Sequence, residues 1–214
     1  MTGIKTTKQK ILDAAGIVFG ENSYNEATIR EICSLAEVNL ASVNYHFGSK
    51  EMLYRALLED ILTTIIERHP AVPPGDHSAE ERLAFFLRAY VNRLVGEARI
   101  PGNEGRIALL SRELLHPSPI MTELMVEHVY PQRDILMSTV AELLGDDATR
   151  RQVLLCVMSS VSQCFYMIFF SDTIKAIGLA GEARDIDMDT LARHAATFAL
   201  AGIKAIREGG KIDG

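Results

Sequence analysis

From Thr7 to Glu208 nearly every stretch of the chain sets its apolar residues three and four apart, and none sustains the apolar/polar alternation of a half-buried strand. A chain patterned this way buries its apolar surface only by packing helix on helix, so the expected fold class is all-α. The breakers divide it. A first helix is expected over 7–22, with Ile11, Ala15, Val18 and Phe19 on one stripe, followed by two short ones over 29–36 and 40–47. Gly48 and Ser49 interrupt the pattern, and Ser49 can cap a fourth helix over 50–68. Pro70, Pro73, Pro74 and Gly75 make 69–77 a loop. Ser78 with Glu81 is a capping box opening a helix over 79–99, which Pro101 and Gly102 end. A helix over 104–115 follows, and Ser118 with Pro119 opens another toward Leu144, kinked or divided at Pro131 and stopped by Gly145. The last two helices are expected over 148–170 and 188–208.

At 214 residues and 48% hydrophobic content, the chain can fill a sizeable core. Its three cysteines, Cys33, Cys156 and Cys164, are odd in number and scattered, and no signal-peptide pattern opens the sequence, which implies a reducing cytoplasm. Cys156 and Cys164 on one helix would be about 12 Å apart, too far for a disulfide. No charge falls between Val153 and Phe170, long enough to meet the minimum for a membrane span. Ser159, Ser160, Ser162 and Gln163 within it argue instead for a helix facing its own core on one side and a partner subunit on the other. With the helix over 188–208, rich in Ala and Gly, it would form a four-helix interface with its two-fold mates.

The net charge of −6 argues against a protein that coats nucleic acid through a global positive field, so any DNA contact must be local. Lys5, Lys8 and Lys10 form a short basic arm ahead of an acidic stretch. The sequence contains no nucleophile triad, phosphate loop or paired-carboxylate spacing, so an enzyme and a cofactor are not expected. Its histidines, His46, His69, His77, His116, His128 and His194, lack a Cys or carboxylate partner at ligand spacing, and no metal is expected.

The segment Thr28–Lys50 carries the most specific chemistry. On a helical wheel Val43 and Phe47 define an inward face, while Ala41, Ser42, Asn44 and Tyr45 point outward without a charge among them. A merely solvated face usually carries Lys and Glu. Small groups at the start and hydrogen-bonding groups beyond suit a helix that enters a DNA groove. Lys50, beside the free N–H groups of the next helix start, can hold a phosphate, as can Thr28 at the helix before the turn.

Thr28 through Ala36, Val38, and the run Ser42-Val43-Asn44-Tyr45-His46-Phe47-Gly48-Ser49-Lys50-Glu51 resemble the DNA-binding signature of TetR-family regulators over about residues 7–60. The resemblance implies that Leu40, Ala41 and Asn44 lie nearest the bases and that Thr28, Ser42, Tyr45, His46 and Lys50 hold phosphates. It further implies a DNA-binding domain over 1–50, linked by the helix over 50–68 to a ligand-sensing and dimerisation domain over 51–214. The expected protein is a homodimeric repressor on a pseudo-palindromic operator, released by a small molecule. A ligand-free architectural protein of the same fold is the alternative. Ser23 and Glu37 stand where the family usually has glycine, and Asn22 is expected to take the left-handed backbone in place of Ser23. Glu37 also sets a negative charge near DNA, implying modest affinity with marked salt dependence. Leu115-His116-Pro117-Ser118-Pro119, Tyr130-Pro131 and Leu143-Leu144-Gly145 resemble the CecR-like C-terminal domain. Polar or aromatic groups interrupting apolar helices there, Tyr90, Arg112, His116, His128, Gln163 and Tyr166, are the candidate effector contacts.

Overall fold

The computed structural model describes residues 5–169, 176–178, 181 and 186–209, and among them every regular element is helical. The helices are α1 (Thr7–Glu21), α2 (Ile29–Ala36), α3 (Leu40–Phe47), α4 (Lys50–Arg68), α5 (Ala79–Val91), α6 (Glu104–Leu115), α7 (Pro119–Leu124), α8 (Tyr130–Leu144), α9 (Arg150–Phe169) and α10 (Met188–Arg207). Most begin on a side chain that accepts an otherwise orphaned N–H. Thr6 accepts from Gln9 at 3.2 Å, Ser118 from Met121 at 3.1 Å and Asp187 from Thr190 at 2.7 Å. Ser78 and Glu81 close the expected capping box. Thr149 accepts from the Gln152 N–H at 3.2 Å, so α9 starts at Arg150 rather than 148. The expected end at Phe170 lies outside the described residues.

Two long helices depart from the expected winding. The helix expected over 79–99 is α-helical only to Val91, then π-wound over Asn92–Gly96 and 3₁₀ over Glu97–Arg99. The Asn92 side chain donates to the Arg88 carbonyl at 2.9 Å, competing with the helical ladder at the point where the winding changes. The second π-wound turn, Met125–Val129, divides α7 from α8 just before Pro131. Pro131 offers no N–H to the carbonyl four residues back and its ring crowds it, so the helix widens there.

The chain forms two compact units. The first runs to Thr64 and takes in Ala98–His128. Its core is built from Ile11, Phe19, Ile32, Leu53, Leu57, Leu109, Met121 and Leu124, all essentially buried. Here α1 and α6 approach at glycines: a Cβ on Gly20 would lie 2.3 Å from the Gly105 carbonyl oxygen, and one on Gly105 would lie 2.5 Å from that of Gly16. The Arg112 guanidinium donates to the Phe19 carbonyl in the last turn of α1, and Arg106 pairs with Asp60. Glu113, 5% exposed, accepts from the Tyr54 hydroxyl at 2.6 Å and from the Ser118 N–H at 2.9 Å. Burial and the Glu113 carboxylate together push the Tyr54 phenol well above its usual range.

The second unit comprises Ile65–Glu97 and the chain from Val129 onward. Its core joins α5, α8, α9 and α10 through Leu83, Phe86, Leu136, Val140, Val153 and Ile203. The 69–77 loop is tied to it by charge: the Glu97 carboxylate, 1% exposed, accepts from Arg68 at 2.7 Å and lies 3.0 Å from His69 Nε2. The buried Arg93 donates to the His69 carbonyl at 2.8 Å and to Gln132 at 3.2 Å. No helix among the described residues is long and apolar enough to cross a membrane.

Candidate nucleic-acid interface

The three N-terminal helices place the expected residues by burying the opposite faces. Val43 and Phe47 of α3 are 1% and 9% exposed, and Ile32, Cys33 and Ala36 are the buried side of α2. The rest of α3 is thereby turned outward: Leu40, Ala41, Asn44, Tyr45 and His46 are exposed, and Tyr45 is 86% so. An aromatic side chain of that size gains nothing by facing water, and its hydroxyl is free to reach a partner. Asn39 starts the helix by accepting from the Ser42 N–H at 2.8 Å.

The hydroxyls are pre-engaged. Thr28 donates its hydroxyl to Glu31 at 2.8 Å while accepting the Glu31 N–H at 3.2 Å, a complete capping box. These bonds hold the Glu31 carboxyl below its usual range, the hydroxyl contributing most. Ser42 donates to Asn39 at 3.0 Å. Either hydroxyl must turn from its own helix cap to reach a phosphate, whereas Tyr45, His46 and Asn44 present themselves directly. The Lys50 ammonium stands 4.6 Å over the Tyr24 ring, which fixes a cation at the start of α4 without neutralising it. Tyr24 is the residue sequence reasoning passed over; it packs edge-on against Tyr54, with ring centroids 4.9 Å apart. Of the basic arm, Lys5 is paired with Asp13 at 2.7 Å.

The two unusual positions resolve differently. Glu37 ends α2 in the left-handed region, at φ 55° and ψ 45°, its N–H directed at the Cys33 and Ser34 carbonyls. It is the one non-glycine residue with positive φ among those described. At the other position the expectation for Asn22 is overturned: its backbone is extended, at φ −119° and ψ 156°. No glycine is needed there because Ser23 donates its N–H and hydroxyl to Glu26, at 3.2 and 2.7 Å, and accepts the Glu26 N–H. Serine thus forms a capping box of its own. Glu37→Gly is expected to raise the stability of the chain by about 1 kcal/mol, because the left-handed backbone penalises any Cβ. The melting temperature would then rise by roughly 2–4 °C, and operator affinity should increase as an acidic group leaves the turn.

The candidate effector contacts fall into two groups. Tyr90, Gln163 and Tyr166 belong to the second unit, while Arg112, His116 and His128 belong to the first. Tyr90 stacks on Phe86 and meets Phe165 edge-on, and burial pushes its phenol well above the usual range. Burial likewise pushes the neighbouring Cys164 thiol up to about 12. The Gln163 amide reaches the Ala195 carbonyl on α10 at 3.4 Å, and Tyr166 is 46% exposed. In the first unit, Arg112 is spent on the end of α1, His116 is exposed and His128 is half-buried.

Residues 79–203 match the C-terminal domain of the HTH-type transcriptional dual regulator CecR, and residues 11–57 match the bacterial regulatory proteins of the tetR family. The first match alone spans more than half of the chain, which therefore belongs to the TetR family with a CecR-type C-terminal domain. It is a DNA-binding transcriptional regulator. The CecR protein of Shigella flexneri is 29% identical over 180 residues, 78% of each chain. A TetR-like regulator from Rhodococcus superposes with a TM-score of 0.63 at 24% identity, covering 99% of this chain and 100% of that one. FadR of Bacillus subtilis, solved with stearoyl-CoA, shares the fold at a TM-score of 0.61 and 17% identity, over 90% of this chain and 97% of that one.

Proposed function

We propose that the chain is a ligand-responsive repressor that binds a pseudo-palindromic operator as a homodimer in the cytoplasm and is released by a small molecule. The observation that carries the reading is the outward face of α3, exposed and uncharged from Leu40 to Tyr45, with Lys50 held beside it over Tyr24. In this reading Leu40, Ala41 and Asn44 meet base edges in the major groove, and Thr28, Ser42, Tyr45, His46 and Lys50 clamp the flanking phosphates. Residues 1–50 serve DNA binding and 51–214 serve sensing and dimerisation.

The apolar side chains left outside on α9 and α10 support a dimer through these helices. Leu154, Met158 and Phe198 are 47%, 56% and 66% exposed, too much large apolar surface on one helix pair for a face in water. Phe198→Glu is expected to shift the protein to monomers in sedimentation, with its helical content intact; an unchanged dimer would place the interface elsewhere.

Tyr90, Gln163 and Tyr166 in the second unit, and Arg112, His116 and His128 in the first, are proposed as effector contacts. Full release requires the effector to favour the non-binding state by about 5.5 kcal/mol. The test is selection of genomic fragments by the purified protein, followed by gel shift with a ligand panel that includes long-chain acyl-CoA, the class held by the FadR neighbour. Recovery of an inverted repeat, and its release by one ligand, is the expected result. Retention without any sequence preference would overturn the reading in favour of an architectural role.

A further inference from the structure

Folding brings together three groups that lie far apart in the sequence. Glu59 projects from α4, and Glu127 and His128 come from the π-wound turn before α8. All three belong to the first compact unit. Their ligand atoms lie within 4.8 Å of one another, the one such His/Cys/carboxylate group among the described residues. His128 Nε2 stands 4.0 Å from Glu59 Oε1 and 3.8 Å from Glu127 Oε2. Neither distance is a hydrogen bond. That nitrogen is nevertheless buried and has no hydrogen-bond partner, the one buried side-chain polar atom of this kind among the described residues. A buried ring nitrogen without a protein hydrogen-bond partner is costly, and its placement needs a reason.

We propose that Glu59, Glu127 and His128 form a binding site for a divalent first-row transition ion such as Zn²⁺ or Co²⁺. Zinc bonds of about 2.0–2.2 Å in a tetrahedral shell put the ligand atoms about 3.4 Å apart, so binding draws Glu127 Oε2 and Glu59 Oε1 in from 3.8 and 4.0 Å of His128 Nε2, and the two carboxylates together from within 4.8 Å, by rotation of exposed side chains. The imidazole selects against Mg²⁺ and Ca²⁺, which take oxygen shells. Both carboxylates are half-exposed, at 49% and 53%, so water completes the coordination. Charge fits as well. Arg55 is committed to Glu123 at 2.5 Å and touches Glu127 only through its other oxygen, at 3.4 Å, leaving two carboxylates beside the imidazole for a doubly charged ion. The π-winding serves the site. Its smaller angular step per residue brings adjacent Glu127 and His128 toward one side, and Pro131 enforces it by denying the Glu127 carbonyl its usual partner.

The test uses the full chain stripped with a chelator and titrated with Co²⁺, then with Zn²⁺ in competition. Expected are one Co²⁺ per chain with visible ligand-field absorption, displacement by Zn²⁺, and a higher melting temperature when loaded. His128→Ala should abolish the absorption, and Glu59→Gln, at an exposed position that leaves folding intact, should weaken binding by at least about tenfold. His77→Ala removes another histidine beside a carboxylate, 3.5 Å from Glu81, and should bind as the wild type does. Wild-type binding no tighter than millimolar, affinity unchanged in Glu59→Gln and His128→Ala, or loss in His77→Ala instead would each overturn the proposal.

Discussion

Lys50→Ala is expected to weaken operator binding by at least about a hundredfold while leaving the melting temperature within a degree or so of wild type. The ammonium is held at the start of α4 by the Tyr24 ring rather than by a carboxylate, so its charge is still available to a phosphate. A charge-assisted hydrogen bond contributes about 1.5–3 kcal/mol, and a dimer on its operator makes it twice. The salt dependence supplies an independent check: removing one phosphate-bound cation lowers the slope of log affinity against log salt by about 0.9, so the slope for the dimer should fall by nearly two. Tyr45→Ala should cost a comparable factor with little change in that slope, because it removes a neutral donor. Tyr45→Phe separates hydroxyl from ring. Unchanged retention of either alanine variant in a gel shift would remove α3 and α4 as the DNA-contacting elements.

Much of this arrangement is legible in the sequence, and the reason is local. The starts of α2, α3 and α5 are written in side chains three residues apart, as in Thr28 with Glu31 and Ser78 with Glu81, which bond to each other whatever the rest of the chain does. The outward face of α3 follows from where Val43 and Phe47 must go. Long-range features are not legible in this way. Tyr24 carries no local sign that it will lie under Lys50, and Glu59 stands far in sequence from the π-turn that it meets through the first unit's packing. In the sequence His128 is accordingly a lone histidine. Asn22 departs from expectation for a different reason: the expectation carries over a glycine's backbone, whereas Ser23 and Glu26 solve the same turn with side-chain bonds in an extended backbone.

The approach of α1 to α6 reverses a common rule. An alanine in place of a helical glycine ordinarily stabilises, by up to about 1 kcal/mol in a helix interior and less near an end. Gly20→Ala is expected to do the opposite and cost about 3 kcal/mol, near the upper end for overpacking, or roughly 6–12 °C of melting temperature. The new Cβ would meet backbone: the Gly105 carbonyl oxygen at 2.3 Å and its Cα at 2.4 Å, atoms that cannot swing aside without parting the helices. Gly16→Ala provides the internal contrast. Its nearest obstacle is the Arg106 Cγ at 2.8 Å, part of a long side chain, with Leu57 Cδ1 beyond at 3.9 Å. That arginine can shift only at the expense of its part-buried pair with Asp60. Gly16→Ala should therefore cost clearly less than Gly20→Ala, because a side chain and not backbone has to give way. If the two variants melt alike, the glycines are not where α1 and α6 touch. If Gly20→Ala alone collapses, the first unit depends on a backbone-to-backbone approach that Gly20 and Gly105 alone allow, and the helices that present Tyr45 and Lys50 are built against it through α1.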